Sequence, residues 1–305
     1  MYNMIPILEI NHLQKTYDTP NYKLDVLKDI NLSLGNGVIA IIGANGAGKT
    51  TFIKICTGLL DYDKGTVCYL GKDLKHMGKM EKSKVFSLLS EGSRNIYFKL
   101  TPLENVRYFS AIRGTAYSSV KDTVLSLLHD LDLYDKRNEL VENLSRGMQQ
   151  KVAIVCALSM GTPVVFLDEP TLGLDMESSI SLSRFLKQNE NVKDRLIIIT
   201  SHDFHFVQET AKKIYKLQNG QLTAKPESGK AYNTFLVKIK HPNVDMLKSA
   251  GYEIVESQNM YCMLRIACED LLLGEEIIKL NKAGHDVSSV QAERDSVTRF
   301  YLKRD

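Results

Sequence analysis

No stretch of about eighteen apolar residues occurs anywhere in the 305 residues, so no helix of this chain reads as spanning a bilayer, and any membrane part of its work falls to another chain. The amino terminus, Met1-Tyr2-Asn3-Met4-Ile5-Pro6, has no basic region followed by an apolar stretch and does not read as a signal peptide. The formal net charge is only +3, too little to argue by itself for nucleic acid or an anionic lipid surface. Five cysteines, Cys56, Cys68, Cys156, Cys262 and Cys268, form no C-x-x-C pair and no even framework. They speak against a disulfide scaffold and for buried thiols in a reducing cytosol. What remains is 44 % apolar and 25 % charged, enough for a substantial core in one large or two smaller domains.

Against these absences stands one dense motif, Gly43-Ala44-Asn45-Gly46-Ala47-Gly48-Lys49-Thr50, which fits G-x-x-x-x-G-K-[ST]. The bare pattern arises by chance in about one chain of this length in a hundred, so context decides. The context is right: Val38 to Ile42 reads as a buried strand and Thr51 to Cys56 as the first turns of a helix. Strand, glycine loop and helix turn a row of backbone N–H groups toward a phosphate chain. Lys49 supplies an ammonium for the β- and γ-phosphates, and the Thr50 hydroxyl suits Mg²⁺, a hard cation that prefers oxygen.

Two further strand ends carry chemistry. Pro163 to Leu167 is an apolar run that ends in Asp168-Glu169-Pro170. In open α/β sheets ligands sit at the carboxyl ends of strands, which places Asp168 to hold Mg²⁺ and Glu169 to polarise a water attacking a γ-phosphate. Arg195 to Thr200 is a third such run and leads into Ser201-His202-Asp203, with His202 placed for a γ-phosphate contact.

Between these motifs lies Asn143-Leu144-Ser145-Arg146-Gly147-Met148-Gln149-Gln150-Lys151. It resembles the LSGGQ signature of ATP-binding cassette (ABC) proteins in its LS-x-G-M-x-Q-K variant, and Pro170 to Asp175 resembles their D-loop. His202 matches the switch histidine. The motifs occur in family order, and the resemblance covers roughly residues 6 to 225. It implies a P-loop NTPase cassette, with a parallel-core sheet joined by antiparallel β and helical subdomains, over 1–225, the helical part at about 92–145. It implies an ATPase that binds ATP and Mg²⁺ through Tyr17, Gly43, Asn45, Gly46, Ala47, Gly48, Lys49, Thr50 and Thr51. Tyr17 would stack on the adenine, and a solvated surface tyrosine is the plainer alternative. Thr50, Asp168 and Glu91 would face the metal. The family's Q-loop glutamine is absent, and Glu91 or Ser90 stands in its place.

The signature departs too: Arg146 replaces a glycine and Met148 a glutamine, while Ser145 and Gly147 remain. The variant is similar to that of ATPase subunits of type-2 ABC exporters. In that family Ser145, Gly147 and Asp175 of one subunit complete the ATP site of another. One phosphate loop and one signature therefore imply a second cassette, most simply a copy of this chain, in a head-to-tail pair. A multi-pass membrane permease would hold the pair on the inner face of the cell membrane, and nucleic acid is not an expected partner. A soluble non-transport ABC ATPase, or an importer subunit with a regulatory carboxyl-terminal domain, stays open as an alternative.

The segment from Thr101 to Asn143 reads as mostly helical, with Val106, Phe109, Ile112, Val120, Val124, Leu127, Leu128 and Leu131 at roughly helical spacing. From Lys225 the character changes. Lys225 to Lys230 reads as a linker. Beyond it, strands at 232–239, 252–256, 260–267 and 286–290 alternate with helices at 244–250 and 269–282. That β-α-β-β-α-β order predicts a small ferredoxin-like α+β domain over 226–305, closed by a helix at 294–303.

Overall fold

The computed structural model describes residues 5–18, 22–92, 95–188, 194–224, 233–240, 242–250, 252–258, 260–268 and 270–292. The chain divides into two compact units, Met1–Lys225 and Pro226–Asp305. Among the described residues no helix is long and apolar enough to cross a membrane.

In the first unit the continuous apolar runs become strands buried on both faces, as parallel strands are. They are β3 (Gly37–Ile42), β7 (Val164–Asp168) and β8 (Leu196–Thr200), every residue of which is buried. With β6 (Phe86–Leu89), β9 (Lys213–Gln218) and β10 (Gln221–Ala224) they form a six-stranded sheet in the order β10-β9-β3-β8-β7-β6. All its pairings are parallel except β9 with β10. Arg195 stands just outside β8. Its guanidinium donates to Thr162 O at 2.7 Å and Leu158 O at 2.9 Å, and burial brings its pKa down to about 10.

A second, antiparallel sheet has the order β2-β1-β4-β5. Its strands are β1 (Leu8–Asp18), β2 (Lys23–Leu34), β4 (Lys64–Tyr69) and β5 (Lys72–Asp73). Helix α1 (Lys49–Cys56) joins the two sheets. Its Phe52, Ile53 and Ile55 share one hydrophobic cluster with Leu8, Ile10 and Ile30 of the antiparallel sheet and Ile39, Phe166 and Ile198 of the parallel one. Cys56 lies in the same cluster, and burial pushes its thiol well above the usual range. The buried Cys156 thiol is pushed to about 12. These are inert packing groups.

After α2 (Lys79–Val85), the predicted helical segment resolves into α3 (Pro102–Ile112) and α4 (Tyr117–Asp130), followed by short 3₁₀ turns at 134–136 and 141–143 and then α5 (Arg146–Ser159). A capping box starts α3: Thr101 Oγ1 accepts from Glu104 N and Glu104 Oε2 accepts from Thr101 N. Val106, Val120, Val124, Leu127, Leu128 and Leu131 are buried as the spacing predicts. Ile112 is 59 % exposed, because it ends α3 where the chain turns away at Arg113. Buried Asn105 fastens the loop ahead of the helix. It accepts from Tyr97 N at 2.7 Å and donates to Tyr97 O and Thr101 O, each at 3.0 Å. The unit also contains α6 (Met176–Gln188) and α7 (Phe204–Thr210).

The second unit runs β11 (Asn233–Lys240), α8 (Val244–Ser249), β12 (Glu253–Gln258), β13 (Tyr261–Cys268), α9 (Asp270–Lys282) and β14 (Asp286–Ala292). The sheet is wholly antiparallel in the order β12-β13-β11-β14, the strand order of a ferredoxin-like unit. Phe235, Val237, Ile239, Leu247, Cys262, Leu264, Ile266 and Leu280 make its core. The predicted linker at 225–230 and closing helix at 294–303 lie outside the described residues.

Asn105→Ala removes every hydrogen bond that this side chain makes and strands buried backbone groups of the 97–101 loop. The expected loss is about 2 kcal/mol of unfolding free energy, read from the urea midpoint at constant slope. An unchanged midpoint would show that the loop does not depend on this anchor.

Candidate functional site

The register of the parallel sheet sets Ile41, Thr200 and Asp168 side by side. Each strand then leaves the sheet at the same level. β3 opens into the 43–48 loop, β8 into Ser201 and His202, and β7 into Glu169. The crevice outside the carboxyl ends of such strands is where this architecture places ligands.

Gly48 caps α1 with φ +103°, a conformation that side chains rarely adopt, and a Cβ there would lie 2.8 Å from Val26 Cγ1. No side chain caps α1, so its first N–H groups point into the loop. Buried Lys49 turns its ammonium over the same loop, donating to Gly43 O at 2.7 Å and Ala44 O at 3.3 Å.

From the helix a chain of polar contacts crosses to the sheet. Thr50 Oγ1 donates to Asp168 Oδ2 at 3.1 Å, and Thr200 Oγ1 donates to Asp168 Oδ1 at 2.5 Å. Thr200 Oγ1 also accepts from Glu169 N at 3.1 Å. Glu169 Oε2 lies 2.8 Å from His202 Nδ1 and accepts from His202 N at 3.3 Å. Asp168 and Glu169 are only 2 % and 6 % exposed, so these contacts compensate for water that both carboxylates have lost. The imidazole itself is 68 % exposed. With an ionised carboxylate as partner, Nδ1 carries the proton and Nε2 is left for a further contact. Glu169 holds φ +50°, a left-handed backbone that costs a residue with a Cβ about 1–2 kcal/mol. Such strain gathers where geometry serves chemistry.

These residues border a cleft of about 320 Å³. Its walls take in Tyr17, Ala44, Asn45, Gly46, Gly48, Lys49, Thr50, Thr51, Glu91, Asp168 and Glu169. Tyr17 Oη lies 3.4 Å from Thr51 Oγ1. Of the two candidates at the Q-loop position, Glu91 lines the cleft. Ser90 is tied by its backbone to Asn95, at 3.1 Å to Oδ1 and 2.6 Å to Nδ2. Among the described residues no three His, Cys, Asp or Glu side chains gather closely enough to hold an ion by themselves, so Glu91 shares the cleft with Asp168 and Glu169 without closing on them.

Ser145, Gly147 and Asp175 lie elsewhere. Ser145 caps α5, its Oγ accepting from Met148 N at 3.2 Å. A Cβ on Gly147 would meet Gly173 O at 3.2 Å, and Gln150 Nε2 donates to Pro170 O at 3.1 Å, so the start of α5 lies against the segment that follows Glu169. Asp175 caps α6. The N–H of Ser178, at 2.8 Å, and after it the Ser178 hydroxyl and the charge of Lys151 hold its carboxyl below the usual range. None of the three lines the cleft.

Sequence reasoning missed Thr200, which fixes the Asp168 carboxylate and accepts from the Glu169 N–H. Its signal is a hydroxyl closing an otherwise aliphatic strand. It also missed Leu24 and Val26 on the cleft wall, which come from β2 and carry no local signal.

A family model described as ABC transporter matches residues 27–172. An ABC transporter ATP-binding protein of Pyrococcus furiosus is 32 % identical over 197 residues, 65 % of this chain and 75 % of that protein. The ABC transporter ATP-binding protein NatA of Bacillus subtilis is 30 % identical over 197 residues, 64 % of this chain and 79 % of NatA. This chain belongs to the ABC transporter ATP-binding proteins. It is an ABC ATPase cassette of the P-loop fold. The dimeric ATP-binding cassette MJ0796, solved with ADP and phosphate, shares that fold with a TM-score of 0.63 at 22 % identity, over 73 % of this chain and 100 % of that one. Of longer relatives the chain spans only part: 38 %, 15 % and 49 % of three curated proteins that it also matches.

The left-handed turn of the cassette predicts a stability difference. Glu169→Gly and Glu169→Ala both delete the carboxylate, but only glycine takes φ +50° without cost. The glycine variant should unfold about 1 kcal/mol harder than the alanine variant in urea. Equal midpoints would mean that the turn is unstrained.

Proposed function

We propose that the chain binds Mg-ATP in the cleft, hydrolyses it, and works as one half of a two-fold pair that drives a separate multi-pass membrane permease, in the direction of export. The observation that carries this reading is the polar chain from Thr50 through Asp168 and Thr200 to Glu169 and His202, set against the glycine loop and Lys49.

The residues present fit magnesium. The Thr50 hydroxyl and the Asp168 carboxylate are hard oxygen donors 3.1 Å apart, and Thr200 already fixes the second Asp168 oxygen. Once bound, the ion neutralises phosphate charge. The loop N–H groups and Lys49 hold the phosphates, and Tyr17 stacks on the base. Glu169 orients a water and takes its proton, and positioning of this kind supplies most of the catalysis in phosphoryl transfer. His202 donates Nδ1–H to the Glu169 carboxylate and, with both ring nitrogens protonated, donates Nε2–H to the γ-phosphate.

Ser145, Gly147 and Asp175, which do not line the chain's own cleft, serve the cleft of a second copy in this reading. A two-fold pair gives each cleft the α5 amino terminus of its partner. The variant signature at 145–151 supports export.

Glu169→Gln keeps the size of the side chain and removes the base. Hydrolysis should fall by about a hundredfold or more while ATP binding persists. The variant should run as a dimer in light scattering at saturating Mg-ATP. A monomer under those conditions would rule out the two-fold pair for the isolated subunit.

A further inference from the structure

Among the described residues, Glu91 is the one carboxylate of the cleft wall that no neighbour neutralises or fixes in a polar chain of the kind that holds Asp168 and Glu169. Asp168 is fixed by two threonine hydroxyls and Glu169 by His202. Glu91 is exposed, lines the cleft, and does not close on the other two. Three carboxylates therefore face the cleft against a single lysine, Lys49, among its lining residues. A triphosphate brings several more negative charges into that field. Like charges that share one cleft repel, an exposed group less than a buried one, and salt weakens the effect.

We infer that Glu91 makes nucleotide binding conditional on the divalent cation, repelling the bare triphosphate and accepting its metal complex. The inference rests on the nucleotide reading of this cleft and names the rule by which the cleft selects between two forms of its substrate. The loop N–H groups, Lys49 and the Tyr17 face bind bare and metal-bound nucleotide alike. Ligation of the ion by Thr50 and Asp168 favours the metal complex, and the net charge of the wall adds to that preference by repelling the bare form. Asp168 and Glu169 already take part in the polar chain and cannot be altered without disturbing it. Glu91, exposed and outside that chain, adds to the selection through its field and does not need to ligate the ion. A metal complex carries two fewer negative charges, which roughly halves the repulsion.

The test uses the full chain and calorimetric titration with a non-hydrolysable ATP analogue, once with excess Mg²⁺ and once with EDTA. The readout is the ratio of the two dissociation constants. In the wild type the metal-free constant should be much the weaker. Glu91→Gln should shrink the ratio about tenfold, chiefly by tightening metal-free binding, and Glu91→Ala should do the same. Glu91→Asp should keep the wild-type ratio. Leu24→Ala, on the same wall but uncharged, should weaken both constants together and leave the ratio alone. Raising the salt concentration should narrow the gap between the wild type and Glu91→Gln in EDTA. An unchanged ratio in Glu91→Gln and Glu91→Ala, with both variants folded by thermal melting, overturns the inference and leaves the nucleotide reading standing. Failure of the wild type to bind the analogue even with Mg²⁺ overturns the nucleotide reading, and this inference with it.

Discussion

One rung of the parallel sheet governs the cleft. Ile41, Thr200 and Asp168 are held side by side by strand pairing, so three chain exits reach the same level with no freedom to slide. A one-residue slip in any of the strands would turn its side chains to the opposite face and dismantle the site. The sheet also creates a difficulty there, because two adjacent carboxylates end up almost fully buried. An uncompensated charge in that position would be costly. The structure meets this with hydroxyls from two directions, Thr50 from the helix and Thr200 from the next strand, and with the His202 imidazole on Glu169. The groups that make the burial tolerable are the same groups that orient the carboxylates toward the cleft.

The second constraint is that α1 belongs to two sheets at once. Phe52 and Ile55 pack in one cluster with residues from both. The antiparallel sheet sends Tyr17, Leu24 and Val26 to the cleft wall, and the parallel sheet sends Asp168 and Glu169. Because α1 sits between their cores, the two sides of the cleft keep a fixed relation. Val26 also limits residue 48, where a side chain would collide with it, so the glycine loop depends on a strand more than twenty positions upstream.

The parts of this arrangement that were legible in the sequence are those written in short spacings. The loop from Gly43 to Thr50, the pair Asp168-Glu169 and the strand run up to Thr200 are local patterns, and the strands appear within a residue of where their apolar runs place them. The ferredoxin-like order of the second unit was legible for the same reason: alternation marks its strands and length marks its helices. What could not be read depends on separation in sequence. Thr200 meets Asp168 across 32 positions and Thr50 meets it across 118. Ile112 fits the helical spacing of its neighbours yet stays exposed, since spacing says nothing about where a helix stops touching the core. The roles of Asn95 and Asn105 as loop anchors were equally hidden, because an asparagine in a polar loop looks the same whether it is buried or solvated.

The position of Glu169 is set by more than its own strand. On the sheet side its N–H binds Thr200 and its carboxylate meets His202. On the other side the chain passes at once to Pro170, whose carbonyl is held by Gln150 of α5, and then to Gly173, whose oxygen lies over Gly147. Asp175 finishes the segment by capping α6. A left-handed backbone at residue 169 is costly alone, and it persists because contacts on both sides leave the turn no other path. The first turns of α5 and the turn that carries Glu169 are therefore parts of one packed piece. Residues that stand away from the cleft, Ser145 and Gly147 among them, share a helix with the Gln150 that braces the turn after Glu169.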